Sequence, residues 1–310
     1  MNIVIPLLLS CALLAPSLPA GAETQALPLP GDDLVGMQRT LPSRAEDTLL
    51  DIARRTGQGY AEIRNANPGV DPWLPGQSTP VILPSRRILP DAPRVGIVIN
   101  LPEMRLYYYP SPGPGQAPQV MTYPIGIGKL GWQMPEMQTE VSGKERNPTW
   151  HVPASIRQEH AANGEIMPDR IPPGARNPLG EFALRLGRTA YLIHGSNKKY
   201  GFGMRVSHGC IRLEPAAIRQ LFQQVSVGTP VRIVDQPYKV GIEAGKLYLE
   251  AHPPLLERRR ETSKTSMVAA SIRVTGDASF SVDWDKAFRV MAEAKGIPVV
   301  IGTLQPGRQP

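Results

Sequence analysis

The stretch "HGSNKKYGFGMRVSHGCIRL", His194 to Leu213, carries two His-Gly pairs and sets a cysteine directly after the second. The 310-residue chain has only two cysteines, Cys11 and Cys210. Cys210 is either a small buried hydrophobe beside a packed His208 or a thiol placed for chemistry. A thiolate nucleophile needs a base within hydrogen-bond reach and a group to orient that base. His194 ends the strand pattern "RTAYLIHG" and His208 lies two residues before the thiol, so spacing alone does not choose between them. Gly209 lets the backbone approach a substrate, and its N–H with that of Cys210 suits an oxyanion hole. Glu214-Pro215 opens a helix with Ile218, Leu221, Phe222 and Val225 on its apolar face. Cys210 is thus placed just upstream of a helix start, where partial positive charge modestly favours a thiolate. Zinc is the competing use of Cys and His. One thiol with His194 and His208 makes at most a three-ligand catalytic site, short of the four ligands of a structural one. No metal is expected.

The first residues, "MNIVIPLLLSCALLAPSLPAGAE", contain an apolar run that closes on Ala20-Gly21-Ala22, a small-residue signal for cleavage before Glu23. Residues 1–22 therefore read as an export signal. Pro6 and Pro16 interrupt the run, which is short for a bilayer span of roughly 20 residues. A single-pass anchor is the competing reading, and "LLSC" around Cys11 weakly resembles a lipoprotein acylation box. No later segment could span a membrane. Once the signal is removed, Cys210 is the one thiol left, and an unpaired thiol in an oxidising compartment is either buried or used.

The net charge of +7 comes from 34 Lys and Arg against 27 Asp and Glu. These charges are scattered, the densest cluster being Arg258-Arg259-Arg260, and an export signal argues against nucleic acid. An anionic extracytoplasmic polymer such as the cell wall suits both facts, as does a solvated basic face with no partner.

Thirty-four prolines and 29 glycines favour a loop-rich and strand-rich chain over a helical bundle. "VGIVIN", "MRLYYYP", "QVMTYPIGIG" and "TPVRIVD" read as strands cut by Gly and Pro. Gly143 to Ala183 is polar, irregular and proline-rich, as expected of a lid or binding loop. Residues 23 to about 34 read as a leader, and "SRRILPDAPR", Ser85 to Arg94, as a linker. After Pro237, "YKVGIEAGKLYLEAHPPLLE" predicts a hairpin turning at Glu243-Ala244-Gly245, followed by an amphipathic helix over Asp283–Lys295 with Gly296 as its stop. The fold class expected is mainly β with α (α+β).

Between leader and linker, Thr48, Leu49, Ile52 and Ala53 have helical spacing, Gly57 stops that helix, and Tyr60, Ile63, Arg64 and Asn67 form a second one ending at Pro68-Gly69. "TPVILP" closes as a strand. With "DTLLDIA" and "N-x-NP", residues 35–84 resemble a LysM module, the small βααβ fold that binds N-acetylglucosamine-containing glycans; a helix pair that only packs on its neighbour is the alternative.

The opening stretch itself resembles the signature of the YkuD-type L,D-transpeptidases: His-Gly, a spacer, then Ser-His-Gly-Cys, an apolar residue and Arg. The match runs over 95–235, with "YPIGIGKLGW" and "PPGARNPLGEFAL" similar to the strand before the site and the substrate-capping loop. The layout, with residues 236–310 as a C-terminal hairpin and helical subdomain, is similar to the Gram-negative periplasmic ErfK/YbiS-like subgroup, which includes enzymes that attach the major outer-membrane lipoprotein to peptidoglycan.

The resemblance implies Cys210 as nucleophile and His194 as general base, with the Gly195 carbonyl orienting His194. It implies that His208 and Ser207 shape the site, and that Arg212 lies near the substrate, either pairing with a stem-peptide carboxylate or holding the loop by a salt bridge. Partners implied are peptidoglycan stem peptides and glycan, with a lysine-ended outer-membrane lipoprotein as candidate acceptor; 3–3 crosslinking and L,D-carboxypeptidase activity are the alternatives. No cofactor is implied. One departure stands out: family members read Gly-Trp-x-Thr-Pro-x-Gly where this chain has "GWQMPEM", with Met134 and Met137 in place of Thr and Gly. It puts substrate fit and turn geometry in question and is the one feature in favour of the rival reading, a wall-binding protein that has lost activity, against which the intact His194 and Cys210 argue.

Overall fold

The computed structural model describes residues 23–259, 262–276 and 278–305. The expected signal over 1–22 and the acylation of Cys11 lie outside that range, as does Arg260. Among the described residues no helix is long and apolar enough to cross a membrane.

Residues 23 to 26 are not a leader. Glu23–Ala26 forms an edge strand antiparallel to Gln119–Pro124, with Glu23 opposite Thr122. Leu34–Val35 then pairs with Arg87–Ile88, so the expected linker is also part of a sheet, with Arg87 and Ile88 fully buried. A strand with unpaired backbone groups is a template for pairing with a neighbouring segment.

Between these ladders lies a βααβ unit. Arg39–Pro42 pairs antiparallel with Pro80–Leu83, and α1 (Leu49–Thr56) and α2 (Tyr60–Ala66) lie between them in sequence. Thr48 and Asp51 form a reciprocal capping box at the start of α1, each side chain 3.1 Å from the other's backbone N–H. Gly57, with φ 68°, closes it in the left-handed region. Leu49, Ile52, Ala53, Ile63, Val81 and Leu83 make the core. Asn67 explains the "N-x-NP" pattern: its amide donates to Ile63 O and Ile82 O and accepts from Ile82 N–H, pinning α2 to the closing strand.

The next and largest part is a mixed sheet of eleven strands, in the order 23–26, 119–124, 105–109, 96–100, 230–234, 137–146, 182–186, 192–194, 211–212, 126–128, 204–207. Gly96–Asn100 and Arg105–Tyr109 are buried at every residue. Ile97, Ile99, Leu106 and Tyr108 face one core, while Val98, Tyr107 and Tyr109 face another; burial on both faces is what makes these strands read as apolar runs. Strand Met137–Arg146 pairs first with Pro230–Val234 and then, after a bulge between Val141 and Gly143, with Phe182–Leu186, which bends the sheet there. Gly143 to Arg146 are therefore strand and not irregular loop. α3 (Ala154–Ala162) stands between the paired segments Trp150–His151 and Arg170–Ile171, and α4 (Pro215–Gln224) buries Ala217, Ile218 and Leu221 against the main core.

The C-terminal part contains the expected hairpin, Tyr238–Glu243 with Lys246–Ala251, turning at Ala244 (φ 49°) and Gly245 (φ 71°). Two positive φ values at adjacent turn residues give the twist a two-residue hairpin needs. Strands Val299–Leu304 and Phe280–Val282 extend it to four, and α5 (Lys264–Thr275) joins α6 (Trp284–Glu293) in covering it. The predicted helix thus stops earlier, at Ala294 in the left-handed region, and α5 and the two outer strands were not legible.

The three parts meet on buried charge. Glu62 of α2 accepts from Arg87 Nη1 at 2.9 Å and from Arg105 Nε and Nη2 at 2.7 and 2.6 Å. Further along, Lys239 of the hairpin lies 3.0 Å from Glu103 and 2.8 Å from Glu250, and Glu250 is 2.7 Å from His252. All seven side chains are buried.

Candidate active site

Two short parallel strands bring the conspicuous residues together. Leu192–His194 runs beside Ile211–Arg212, with Ile193 opposite Ile211 and His194 opposite Arg212. Leu213 N–H donates to His194 O at 2.9 Å, continuing the ladder. Cys210 immediately precedes the second strand, and the Leu192 N–H donates to its sulfur.

His194 is 3 % exposed. Its Nδ1 lies 2.7 Å from Gly195 O, so the neutral ring carries its proton on Nδ1 and leaves Nε2 unprotonated. Burial, and next the Arg212 guanidinium, push its pKa down to about 4. The imidazole is neutral at physiological pH. Gly195 permits this packing: a Cβ there would come within 3.2 Å of Ile218 and of Leu179 O.

Cys210 is a free, half-buried cysteine. Burial raises its pKa, opposed by the Leu192 N–H and by Arg212. Desolvation outweighs the favourable charges, so the resting thiol is protonated and needs a base to react. Arg212 is itself drawn down by burial, and its Nε is buried without a hydrogen-bond partner among the described residues. No salt bridge of Arg212 is found among them either.

Ser207 ties the turn. Its hydroxyl donates to Cys210 O at 2.6 Å and accepts from Gly209 N–H at 3.1 Å. Of the two amides expected to serve as oxyanion donors, that of Gly209 donates inside the turn. Gly209 has φ 105°, and a Cβ there would sit 3.1 Å from the Tyr191 ring, so backbone geometry accounts for the glycine.

His208 faces elsewhere. Its Nε2 lies 3.2 Å from Glu159 on α3, and its ring meets Trp132 edge-on with centroids 4.9 Å apart. Lys129 pairs with the same Glu159. Burial and Lys129 lower the His208 pKa, with Glu159 opposing. His208 thus brings the Cys210 turn against α3 and the segment around it. That segment is anchored by the buried Asn177, whose amide donates to Pro148 O at 2.8 Å and accepts from Leu179 N–H at 2.9 Å.

The departure at "GWQMPEM" has a structural account. Met134 is buried in the main core and Met137 packs against it, while Trp132 N–H closes a turn on Lys129 O at 2.9 Å. Gly128 makes room for that turn, since a Cβ there would overlap Trp132 O at 1.8 Å.

Among the described residues, Glu103, Glu250 and His252 are the one group with metal-ligating atoms close together. The Lys239 ammonium already lies against both carboxylates, and the group is remote in sequence from the cysteine turn. Sequence reasoning missed Leu192, Trp132, Glu159 and Asn177. The "GW" pair was a signal for Trp132, but nothing local marks Glu159, whose partners lie 30 and 49 residues away.

The two strands thus bring into one small region a buried neutral imidazole held at Nδ1, a thiol in the adjoining strand turn and a guanidinium whose charge acts on both. The chain matches the YkuD family, described as the L,D-transpeptidase catalytic domain, over residues 94–233. It is 45% identical over 253 residues to "Probable L,D-transpeptidase YcfS" of Escherichia coli K12, covering 80% of this chain and 78% of that one. It is 40% identical over 304 residues to "Probable L,D-transpeptidase ErfK/SrfK" of the same organism, covering 96% of each. Identity to "Probable L,D-transpeptidase YbiS" of that strain is 43% over 240 residues, 76% of this chain and 77% of that one. The chain belongs to the YkuD family of L,D-transpeptidases. It is an L,D-transpeptidase of the Gram-negative ErfK/YbiS/YcfS type.

Proposed function

We propose that the protein works in the periplasm on peptidoglycan tetrapeptide stems, through a thioester on Cys210, and that it attaches an outer-membrane lipoprotein to diaminopimelate. His194 Nε2 takes the Cys210 proton as the sulfur attacks the diaminopimelate carbonyl. The C–N bond to the terminal D-alanine then breaks, its nitrogen collects the proton from His194, and an acyl-cysteine remains. A lysine amine of the lipoprotein gives its proton to His194, attacks the thioester carbonyl and releases the thiol. Water or a second diaminopimelate amine at that step gives the carboxypeptidase or 3–3 crosslinking reaction.

The observation that carries this reading is the 2.7 Å contact between His194 Nδ1 and Gly195 O, which supports a neutral ring with Nε2 as the base. Cys210 N–H supplies the oxyanion donor in this turn, and Arg212, lacking a partner at Nε, receives the stem carboxylate. The βααβ unit serves as a LysM module that holds the glycan; its fold and the exposed Trp73, 62 % accessible, support that role.

Mass spectrometry of the purified protein with diaminopimelate-containing tetrapeptides, with and without a lysine-ended lipoprotein peptide, tests the scheme. Loss of D-alanine with an adduct on Cys210 is expected, followed by transfer to the peptide lysine. Full turnover by Cys210→Ala would sink the thioester, and crosslinked or hydrolysed product alone would sink lipoprotein attachment.

A further inference from the structure

The N-terminal unit touches the catalytic sheet at the loop that joins the two halves of the active site. Residues 195–203 run from Gly195, whose carbonyl holds His194, to Gly203, which leads into Met204–Ser207 and on to Cys210. α2 begins on this loop: Tyr60 N–H donates to Phe202 O at 3.2 Å and Ala61 N–H to Gly203 O at 3.1 Å. The first N–H groups of a helix have no partner inside it, so the loop completes the helix and the helix fixes the loop. The approach is close. Gly203 has φ 68°, and a Cβ there would lie 2.4 Å from Gly59 Cα and 2.5 Å from Tyr60 N.

On its other side, Gly203 N–H donates to Ile125 O at 2.9 Å, next to the strand Gly126–Gly128 that pairs with Met204–Ser207. Phe202 is buried. The helix is held in turn, because Glu62 is locked by Arg87 and Arg105.

We propose that the Tyr60 and Ala61 amides are positioning groups for the reaction: through them the N-terminal unit holds the 195–203 loop, and so the Gly195 carbonyl and the Cys210 turn, in the reactive arrangement. A unit that only tethered the enzyme to glycan would need no backbone interlock with this loop. The coupling is reciprocal, so a change at Cys210 is felt at the start of α2. The inference rests on Cys210 being the nucleophile.

Tyr60 is the first residue of α2, where proline is tolerated, and Gly59 before it is extended (φ −78°, ψ 147°), as a residue preceding proline must be. Tyr60→Pro therefore removes one N–H and leaves the helix. Tyr60→Ala keeps the N–H and is the conservative variant. In the full chain, acylation of Cys210 by a saturating carbapenem, followed by intact mass, is expected to slow about tenfold in Tyr60→Pro, as loss of one hydrogen bond in the reactive arrangement allows. Tyr60→Ala is expected to stay within about twofold of wild type. A role in stability alone leaves the saturating rate of the folded protein unchanged, so a wild-type rate in Tyr60→Pro overturns the proposal.

A second measurement needs no substitution. Amide hydrogen exchange of the wild-type chain, before and after acylation, should change at Tyr60 and Ala61. Unchanged exchange there overturns the proposal even where Tyr60→Pro fails to fold. Absence of any adduct on the wild type would remove the Cys210 reading and this inference with it, an outcome distinct from an adduct without coupling.

Discussion

Arg105 grips Glu62 with two nitrogens, Nε 2.7 Å from Oε1 and Nη2 2.6 Å from Oε2, and both side chains are buried. The pair joins α2 to strand Arg105–Tyr109 of the eleven-stranded sheet. Arg87 adds a third donor to the same carboxylate. Burial alone would raise the Glu62 pKa, yet Arg105 and Arg87 bring it below the usual carboxylate range.

Glu62→Ala leaves two buried guanidinium groups without their anion. Breaking a buried pair from one side costs about 3–5 kcal/mol. Urea denaturation should show a loss of that size, and a loss under about 1 kcal/mol would mean that water or another acid replaces the carboxylate.

Glu250 makes the acid limb of stability predictable. Burial works against its ionisation, but Lys239 and His252 draw its pKa down to about 2 from the ordinary 4.5. Between those values the unfolded chain binds more protons than the folded one. This contribution is therefore complete above about pH 4.5 and lost as pH falls towards about 2. Thermal melts of Glu250→Gln should lose part of that slope; an acid limb identical to wild type would contradict the assignment.

The two histidines should separate in kinetics. His194→Gln removes the proposed base and should slow carbapenem acylation by about 10²–10⁴-fold, the usual worth of a positioned base. His208→Gln breaks the contact with Glu159 and should act mainly on apparent affinity. Stopped-flow acylation at several drug concentrations separates the two, and equal losses in the saturating rate would reject His194 as the sole base. Because the His194 pKa is lowered to about 4, no acid limb near pH 6.5 is expected in that rate.

At Gly209 the backbone sits at φ 105° with the Tyr191 ring close behind. Gly209→Ala should cost about 1–3 kcal/mol of local strain and shift the Cys210 turn. Alkylation of Cys210 by iodoacetamide, with Tm recorded alongside, checks this; wild-type stability and reactivity together would show that the turn tolerates a side chain.

Asn177→Ala leaves Pro148 O and Leu179 N–H without their side-chain partner. A cost of about 1–3 kcal/mol is expected for the orphaned groups, concentrated in the capping segment. Limited proteolysis should then cut within 150–171 sooner than elsewhere, and an unchanged cleavage pattern would count against the anchor.

What could be read from sequence was local. Thr48 and Gly57 mark the ends of α1 because a side-chain cap and a left-handed residue act within four residues of chain. The apolar runs "GIVIN" and "RLYYY" read as strands because both faces are buried. His194, Ser207, Cys210 and Arg212 stand out because the parallel pair that unites them lies within one short stretch. What escaped was long in range. Arg87 looks like a linker arginine until Glu62, 25 residues earlier, closes on it. Lys239 meets Glu103 across 136 residues because the sheet order brings them together, and no periodicity encodes that. α5 escaped because its start, "SKTS", is polar and its apolar stripe is weak.

The same ring of charges decides where this chain can be divided. The span that matches the family, 94–233, keeps Arg105 and Glu103 but leaves behind Glu62, Arg87, Lys239 and Glu250. Excised alone, it would keep Arg105 and Glu103 at its two seams with their partners of opposite charge gone. That span is thus not portable: grafting it onto a different N-terminal domain means carrying α2 and the C-terminal hairpin with it, or redesigning both seams.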